Sequence, residues 1–438
     1  MLQLLDSSEA TPGRRKITMS MPPAFRTVFA VALLVLATCL LGCDPFAPRP
    51  LQPDAKWHEK ALVDGHLAHW LAVAPAESGF LRTSVTRKWQ PREQNTTDLV
   101  AQSRAIYVLV SGYEVTGDPR YLDAARRGAD FLLRHFPDPV HGGLFRAVDA
   151  GGRAVNDSKH TYGHAFAIFA LAHVARATRD DRYRDAAVAA WRAVRVNLRD
   201  ASGGFRPESP RDFSGTSGSR TQNPVMHLFE ALLALHDATG DPEVLSDARA
   251  VGDFVVYRLL RGLSDGGAYI AEWYDAKWEP LPEDGGGNID LGHQYEWAYL
   301  LSAAEERGLP ALYTGVAQRL LDYAIKTGYD EQNGGCFNVA YTSGKVIRDK
   351  GYWQQSECLR TVMRFAALYG QPEMKRRYEQ TLALVQDEFT DTENGGWFVM
   401  AKRACVHRTC PDEQPDAYHM TAMHREALAL AARARAQR

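Results

Sequence analysis

A short signal of glycine and an aromatic residue recurs six times along the 438-residue chain, about every 63 residues. The signals are Gly79-Phe80, Gly142-Gly143-Leu144-Phe145, Gly203-Gly204-Phe205, Gly266-Gly267-Ala268-Tyr269, Gly334-Gly335-Cys336-Phe337 and Gly395-Gly396-Trp397-Phe398. A period of this length is typical of a repeated pair of helices. The repeat therefore constrains the fold more than any other feature of the sequence.

A second signal lies between the first ones and marks where one helix stops and the next begins. It takes the forms Thr116-Gly117-Asp118-Pro119, Thr178-Arg179-Asp180-Asp181, Thr239-Gly240-Asp241-Pro242, Gly308-Leu309-Pro310 and Gly370-Gln371-Pro372. Glycine can adopt the left-handed conformation after a helix, aspartate can cap the next helix, and proline suits its first turn. Each repeat is therefore predicted to contain two helices joined by a tight turn.

The two helices of a repeat differ in their surfaces. Residues 165–175 are apolar almost all round, which predicts a helix that is buried on every side. Residues 121–136 place apolar side chains on one face and charged side chains elsewhere, which predicts a helix with one solvated side. Such a repeat cannot bury its apolar surface alone and must pack against its neighbours.

The two ends of the repeat array complement each other. The first amphipathic helix, near residues 57–73, has no buried helix before it, and the last buried helix, near residues 420–435, has no amphipathic helix after it. Pairing these ends would close a ring. The predicted fold is all-α, a single (α/α)6 barrel of six inner and six outer helices over residues 56–438, with the glycine-aromatic loops at one rim. A linear solenoid is the alternative.

The start of the chain is typical of a processed leader. Residues 27–41 are fifteen uncharged residues, too few to span a bilayer, and they end at Leu40-Leu41-Gly42-Cys43, which resembles the bacterial lipoprotein box. We expect a signal peptide over residues 1–43, lipid attachment at Cys43 and a proline-rich tether over residues 44–55. The protein would then be exported and anchored to a bacterial membrane, facing the periplasm or the exterior. The alternative is a buried cysteine in an apolar helix.

Composition excludes several classes of protein. Lys+Arg 51 against Asp+Glu 53 leave a formal charge of −2, which argues against nucleic acid as a partner. Neither a Cys-x2-Cys nor a His-Glu-x-x-His spacing occurs in the sequence, so no metal site is predicted. In an oxidising compartment, Cys405 and Cys410 could pair across a short loop. The protein is expected to be a monomer or a homodimer.

Polar residues recur at the start of each predicted inner helix, where an apolar helix should avoid them. The series consists of Arg104, Tyr162, Asn223, His227, His293, Glu296, Trp353, Glu357 and His419. In a closed barrel these residues would converge on one axial pocket. Hydrogen-bonding groups next to aromatic rings suit a small carbohydrate, and histidine is the side chain whose ordinary pKa, near about 6.5, fits acid and base catalysis.

The motifs of this series resemble those of the N-acylglucosamine 2-epimerase family, which includes cellobiose 2-epimerases and mannose-type aldose–ketose isomerases. The motifs are Gln102-Ser103-Arg104, Asn223-Pro-Val-Met-His227, Gly292-His293-Gln-Tyr-Glu296-Trp297, Trp353-Gln-Gln355-Ser-Glu357 and Tyr418-His419. The resemblance implies an (α/α)6 barrel. It also implies an isomerase that moves a proton reversibly at C2 of a ring-opened reducing sugar, without a metal or redox cofactor.

The same resemblance implies a role for each matching residue. His293 and His419 match the acid–base pair at C2, His227 a third histidine that assists positioning or ring opening, and Arg104 the arginine that polarises the C1 carbonyl oxygen. Candidate substrate-binding residues are Tyr162, Asn223, Glu296, Trp353, Glu357 and Trp397, the two tryptophans as stacking positions. Glu357 has the alternative role of holding a neighbouring side chain.

Several alternatives stay open at this point. An epimerase needs acid–base groups on opposite faces of the planar intermediate, whereas an isomerase can return the proton to C1 from one face, and two histidines fit both. A glycoside hydrolase or lyase on the same barrel would use paired carboxylates drawn from Glu296, Glu357 and Asp290. A non-catalytic sugar-binding lipoprotein is the third alternative. Pro415-Asp416-Ala417 departs from the family's last motif, so both monosaccharides and disaccharides remain candidate substrates.

Overall fold

The structure is a computed structural model that describes residues 51–215, 218–405 and 411–437. The predicted signal peptide, the lipid site at Cys43, most of the tether and the pairing of Cys405 with Cys410 lie outside the described residues. Within these ranges, no helix combines the length and the apolar character needed to cross a membrane.

Two sets of helices alternate along the described part of the chain. The inner set, nearly continuously buried, consists of α3 (Leu99–Thr116), α5 (Thr161–Thr178), α7 (Asn223–Thr239), α9 (Leu291–Glu305), α11 (Tyr352–Leu368) and α14 (Tyr418–Ala436). The outer set consists of α1 (Ala55–Leu62) with α2 (Ala68–Val73), α4 (Pro119–His135), α6 (Asp181–Asn197), α8 (Pro242–Phe254), α10 (Leu312–Gly328) and α12 (Pro372–Leu384). A short helix α13 (Lys402–Cys405) lies in the last rim loop.

The inner helices form a closed ring. Each of them contacts the next in chain order, and the last, α14, contacts both the first inner helix, α3, and the first outer helix segment, α1. The predicted (α/α)6 barrel is therefore confirmed, and the linear solenoid is excluded because its two ends would not touch. Three outer helices contain or end in a π-helical turn, at Val63–Leu67, Val255–Leu259 and Val385–Phe389.

The turns between inner and outer helices have the geometry that the sequence predicted. Gly117 and Gly240 follow inner helices with φ of 72° and 66°, in the left-handed region. The carboxylates of Asp118 and Asp241 cap the next helices by accepting backbone N–H groups at 3.0 and 2.8 Å. The repeated signal thus works as a helix stop followed by a helix start.

The opposite rim carries the glycine-aromatic loops and short antiparallel strands. The strands are β1 (Thr96–Asp98), β2 (Ala147–Asp149), β3 (Ala154–Asn156), β4 (Lys159–His160), β5 (Glu208–Ser209), β6 (Arg220–Thr221), β7 (Leu260–Gly262), β8 (Ala268–Ile270), β9 (Trp273–Tyr274), β10 (Ile289–Asp290), β11 (Val339–Ala340) and β12 (Val346–Ile347). They pair as β1-β2-β3, β10-β11-β12, β4-β5, β6-β9 and β7-β8. These pairings link rim loops of neighbouring repeats, for example Thr97 with Val148.

A buried side chain in the first turn of several inner helices fastens the rim loop of the preceding repeat. Gln102, His164, Gln294 and Gln355 accept the backbone N–H of Leu81, Leu144, Ile270 and Cys336 at 3.1, 2.9, 2.9 and 2.9 Å. Because buried polar groups need such partners, these bonds fix each loop against a helix start. The same bonds keep the polar residues of the helix starts at one level of the barrel.

The chain joins the barrel slightly before the predicted boundary. Leu51 is 5% exposed and Pro53 is buried, so the end of the predicted tether packs onto the fold. Asp54 caps α1 by accepting the backbone N–H of Trp57 at 3.2 Å. The apolar side chains of this segment account for the difference, because burying them is favourable.

Candidate active site

His293 lies in the first turn of α9, where Asp290 caps the helix by accepting the His293 backbone N–H at 3.2 Å. Its imidazole Nδ1 lies 2.7 Å from Oε2 of Glu272, a buried carboxylate on the rim between β8 and β9. Burial alone lowers the pKa of His293, but the charges of Glu272 and Asp290 and the hydrogen bond to Glu272 outweigh it and raise the pKa to about 10. His293 is therefore protonated at neutral pH.

His419 lies in the first turn of α14 and is held differently. Its Nδ1 lies 2.8 Å from Oε1 of Glu357 on α11, whose other oxygen receives a longer hydrogen bond of 3.4 Å from Arg360. Burial, reinforced by the charge of Arg104, lowers the pKa of His419 well below its usual value. Burial and the nearby charge of Glu230 raise the pKa of Glu357 to about 7. His419 is therefore neutral at neutral pH, the opposite state to His293.

The ring of Trp353 contacts both His293 and His419. Its ring centroid lies 5.0 Å from that of His293 and 5.3 Å from that of His419. It projects from α11, which lies between the helices that carry the two histidines. The predicted acid–base pair is thus assembled against a single aromatic ring, and the side chains of His293 and His419 are 10% and 8% exposed.

Arg104 on α3 lies close enough to His419 for its charge to affect that histidine. Its guanidinium donates to Asp416 Oδ2 at 2.7 Å and to the hydroxyl of Tyr162 at 2.8 Å, and it lies 4.3 Å from the ring centroid of Phe166. Burial opposes its charge, but Tyr162 and Asp416 raise the pKa of Arg104 above its usual value. Arg104 therefore places a fixed positive charge beside the histidines, suited to stabilise an oxyanion.

The site also contains a third histidine–carboxylate pair and a carboxyl group without a hydrogen-bond partner among the described residues. His227 Nδ1 lies 3.1 Å from Glu230 Oε2, an oxygen that also accepts the hydroxyl of Tyr418. Glu296 is fully buried, and neither of its oxygens has a hydrogen-bond partner among the described residues. Burial and the charge of Glu357 raise the pKa of Glu296 well above its usual value, so it is a neutral donor and acceptor. The side-chain oxygen of Asn223 is also buried and unbonded within the described ranges.

Two overlapping groups of these side chains have the composition of a metal site. His227, Glu230 and Glu296, and likewise Glu296, Glu357 and His419, each place one potential ligand atom within 4.8 Å of the others. Carboxylate and imidazole donors suit several divalent cations. Four of these five residues also form hydrogen-bonded pairs with one another, His227 with Glu230 and His419 with Glu357. The donors therefore have a role without a cation.

Two cavities border the site. One of about 540 Å³ lies on the rim beside Trp353 and includes Phe337, Asn338, Arg348 and Gln354 in its lining. A smaller one of about 220 Å³ lies beside Arg104 and Asp416 and is otherwise mostly apolar. Both reach side chains of the predicted site.

Most of the predicted residues meet in this cluster, but Trp397 does not. Trp397 is 1% exposed and packs between His66 and His424, with ring centroids 6.2 Å from each. The expectation that Trp397 stacks on a substrate is therefore wrong, because no face of its ring is open. The aromatic residue of this repeat signal is a core residue instead.

Sequence reasoning missed the residues that hold the histidines from the rim. Glu272 and Gln222, which contact His293, and Asp416, which contacts Arg104, were not predicted. They lie outside the first turns of the inner helices, which contain the predicted polar series. A glutamate inside the otherwise apolar and aromatic segment Tyr269-Ile-Ala-Glu272-Trp273-Tyr274 was the available signal.

Comparisons with known proteins identify the family of the chain. The N-acylglucosamine 2-epimerase family matches over residues 79–423. Cellobiose 2-epimerase of Eubacterium cellulosolvens is 25% identical over 84% of this chain and 96% of its own length, and N-acylglucosamine 2-epimerase of Bos taurus is 27% identical over 78% and 83%. A crystal structure of D-mannose isomerase superposes with a TM-score of 0.78 at 22% identity, covering 85% of this chain and 97% of that one. The chain belongs to the N-acylglucosamine 2-epimerase family.

Proposed function

We propose that the protein is a sugar isomerase that epimerises a reducing sugar at C2. The observation that carries this proposal is the pair His293 and His419, which face one tryptophan ring and each contact a different carboxylate through Nδ1. The pKa of His293 is raised by its acidic neighbours, and the pKa of His419 is lowered by burial and the charge of Arg104. A reaction that removes a proton from one face and returns a proton to the other needs one base and one acid. The names of the epimerase relatives support the same reaction class.

The reaction is proposed to begin once the sugar ring has opened, with His227 and the neutral Glu296 assisting. The neutral imidazole of His419 takes the C2 proton through Nε2, because Nδ1 is engaged by Glu357. The electron pair of the C–H bond moves to the C1 oxygen, whose charge Arg104 stabilises. The protonated imidazole of His293 then delivers its Nε2 proton to the other face of C2. His419 ends protonated and His293 neutral, which is the starting state for the reverse reaction.

An aldose–ketose isomerase of the mannose type is the alternative on the same site. It would share the first proton transfer and the same charged intermediate, but the proton would return to C1. The D-mannose isomerase structure has the same fold, which supports keeping this alternative. The position of the returned hydrogen distinguishes the two reactions.

A glycoside hydrolase fits the site less well. Its two carboxyl groups would have to stand about 5 to 10 Å apart, on either side of the scissile bond. Glu296 and Glu357 instead offer oxygens within 4.8 Å of each other, and both are fully buried. Asp290, the third candidate, caps α9. Full burial and a raised pKa for both Glu296 and Glu357 fit a hydrolase pair, one ionised and one protonated on an accessible bond, less well than the two histidines fit an epimerase.

Exchange with solvent tests the proposal directly. The purified protein is incubated in D2O with mannose, glucose, N-acetylmannosamine and cellobiose, and the products are followed by proton NMR. Epimerisation predicts an epimer with deuterium at C2, and isomerisation predicts a ketose with deuterium at C1. A new reducing end would instead indicate a hydrolase, and unchanged sugar with measurable affinity would indicate a binding protein.

The large rim cavity supports a substrate longer than one sugar. Its volume of about 540 Å³ adjoins Trp353, and its lining includes the exposed side chain of Arg348, which lies 5.4 Å from the ring centroid of Phe337. We infer that a second sugar ring binds there. Arg348→Ala should then lower kcat/KM for cellobiose while leaving that for mannose unchanged. An equal loss on both sugars would argue against this subsite.

The location of the protein is part of the proposal. The lipoprotein-like Leu40-Leu41-Gly42-Cys43 supports export and lipid attachment at Cys43, with the barrel outside the cytoplasm. In a detergent phase-separation experiment on bacteria that express the full chain, the wild type should enter the detergent phase and Cys43→Ser the aqueous phase. Equal partition of both proteins would contradict the anchor.

A further inference from the structure

The backbone of Glu272 is fixed by hydrogen bonds to two other rim segments. Its backbone N–H donates to the carbonyl of Asn288 at 2.9 Å, and its own carbonyl accepts the backbone N–H of Gln222 at 3.2 Å. It directly precedes β9, which pairs with β6. The carboxylate therefore projects from a fixed backbone that lies between two rim loops.

Three donors converge on this carboxylate. Oε1 accepts the hydroxyl of Thr221 at 3.0 Å, and Oε2 accepts the amide of Gln222 at 2.8 Å and faces His293 Nδ1 at 2.7 Å. Burial opposes the charge of Glu272, but the charge and hydrogen bond of His293, with Gln222 and Thr221, lower its pKa below the usual value. Glu272 is therefore ionised and can only accept hydrogen bonds.

The orientation of Gln222 follows from Trp297. The indole N–H of Trp297, which is a donor only, lies 2.6 Å from Oε1 of Gln222. The amide oxygen of Gln222 must therefore face Trp297, and its NH2 group donates to Oε2 of Glu272, the same oxygen that faces His293 Nδ1. A bare Nδ1 lone pair at 2.7 Å from an ionised carboxylate would be repelled, so Nδ1 of His293 carries a hydrogen.

We propose that Glu272 is the positioning residue for His293: it fixes Nδ1–H toward the rim and presents Nε2 to the sugar as the proton-donating atom. This inference rests on the proposed epimerase chemistry. No hydrogen bond occupies Nε2 of His293 within the ranges that the structure describes. After Nε2 has given up its proton, Nδ1–H remains, so the same tautomer is ready to act as the base of the reverse reaction.

The contrast with His419 shows why a separate carboxylate is needed. The groups that face His293 are Glu272 and Asp290 from the rim, Glu296 from its own helix and His227 from α7. Of these, Glu272 alone contacts its ring at hydrogen-bond distance among the described charged residues. Glu357, the partner of His419, is repelled by nearby acidic groups, Glu230 and Glu296. It also accepts a hydrogen bond from Arg360. The two histidines thus differ because Glu272 and Asp290 act on His293, whereas burial and the charge of Arg104 dominate at His419.

The test compares the full chain with Glu272→Gln, which keeps shape and removes charge. Nitrogen-15 NMR of histidine-labelled protein reports the tautomer and titration midpoint of His293, identified by its absence in His293→Ala. We expect the midpoint to fall by at least about one pH unit and the Nδ1–H signal to weaken. We also expect kcat to fall about tenfold or more with KM within about twofold, and the alkaline limb of the kcat–pH profile to move to lower pH.

Two further variants keep the test decisive. Glu279→Gln changes an exposed glutamate in the same rim region and should alter none of these readouts. Glu272→Asp keeps the charge on a shorter side chain and should give a His293 titration midpoint between those of the wild type and Glu272→Gln. If Glu272→Gln does not fold, Glu272→Asp alone provides the comparison with the wild type. An unchanged midpoint and unchanged pH profile in both Glu272 variants would overturn the proposal. The NMR titration needs no turnover, so the two proposals fail separately. A wild type without activity would refute the epimerase proposal, whereas the titration midpoint of His293 would still test the contact with Glu272.

Discussion

His419 and Glu357 belong to adjacent inner helices and are joined by a 2.8 Å contact between Nδ1 and Oε1. The contact fixes the imidazole plane next to Trp353 and leaves Nε2 for the substrate. Glu357→Gln should weaken this orientation and deprive Arg360 of its carboxylate partner. We expect kcat to fall about 10²-fold with a smaller change in KM, because an acid–base group contributes at this scale. Steady-state kinetics that show an unchanged kcat would contradict the role of Glu357.

Arg104 should be irreplaceable by lysine. Its guanidinium bonds Asp416 and Tyr162 at the same time, a fork that a single ammonium group cannot reproduce. We expect Arg104→Lys to lower kcat by about 10²- to 10³-fold, the usual effect of removing an oxyanion partner. Tyr162→Phe, the matched control, removes one bond to the guanidinium and should lower kcat less. The reverse order of the two effects would show that Arg104 mainly has a structural role.

Removal of metal ions should leave the reaction unchanged. Of the five residues that could bind a cation, four form the hydrogen-bonded pairs His227–Glu230 and His419–Glu357. The fifth, Glu296, is a carboxyl group whose pKa is raised well above its usual value, so it carries no charge to attract a cation. Exhaustive dialysis against a chelator, followed by the deuterium-exchange assay, should therefore give the full rate. A loss of activity that one divalent cation restores would instead assign these residues to a metal site.

The stability of the barrel should fall in mild acid because histidines are buried in neutral form. Burial lowers the pKa of His66 from 6.5 to about 3, and neither ring nitrogen has a partner among the described residues. The unfolded state therefore binds more protons than the folded state between about pH 6.5 and 3, and stability decreases as pH falls through this window. At pH 5, His66 alone lowers the free energy of unfolding by about 2 kcal/mol relative to a pH well above 6.5.

His66→Met tests this linkage. The variant removes the titrating ring and keeps an apolar group of similar size, so its unfolding free energy should decrease less than that of the wild type between pH 7.5 and pH 5. His141→Gln changes an exposed histidine and should follow the wild type. Denaturant unfolding at both pH values gives the comparison, and parallel losses in all three proteins would refute the assignment.

The fold could be predicted because it depends on a pattern that repeats. Residues 165–175 are apolar almost all round, and the structure buries that helix, while Asp118 and Asp241 cap helices as expected. The level of the site was also predictable, because His293 and His419 each lie in the first turn of an inner helix. The repeat therefore predicts both the barrel and the position of the polar residues at the starts of its inner helices.

The partners of these residues depend on contacts across repeats, which periodicity does not describe. Glu272 reaches His293 from a rim loop, and its pairing requires β6 and β9 to lie side by side. Trp397 shows the opposite failure, since its place in a motif suggested a stacking residue while packing against His66 and His424 makes it a core residue. Local sequence does not determine which side of a loop faces the site.

Deuterium exchange in two variants shows whether His293 and His419 move a proton at C2 of a sugar. His293→Ala and His419→Ala are incubated in D2O with the sugar that the wild type converts, and C2 deuterium is measured after their thermal transitions have been compared with that of the wild type. We expect each variant to keep a thermal transition close to that of the wild type and no longer to yield the C2-deuterated epimer. Formation of that epimer at the wild-type rate in both variants would contradict it.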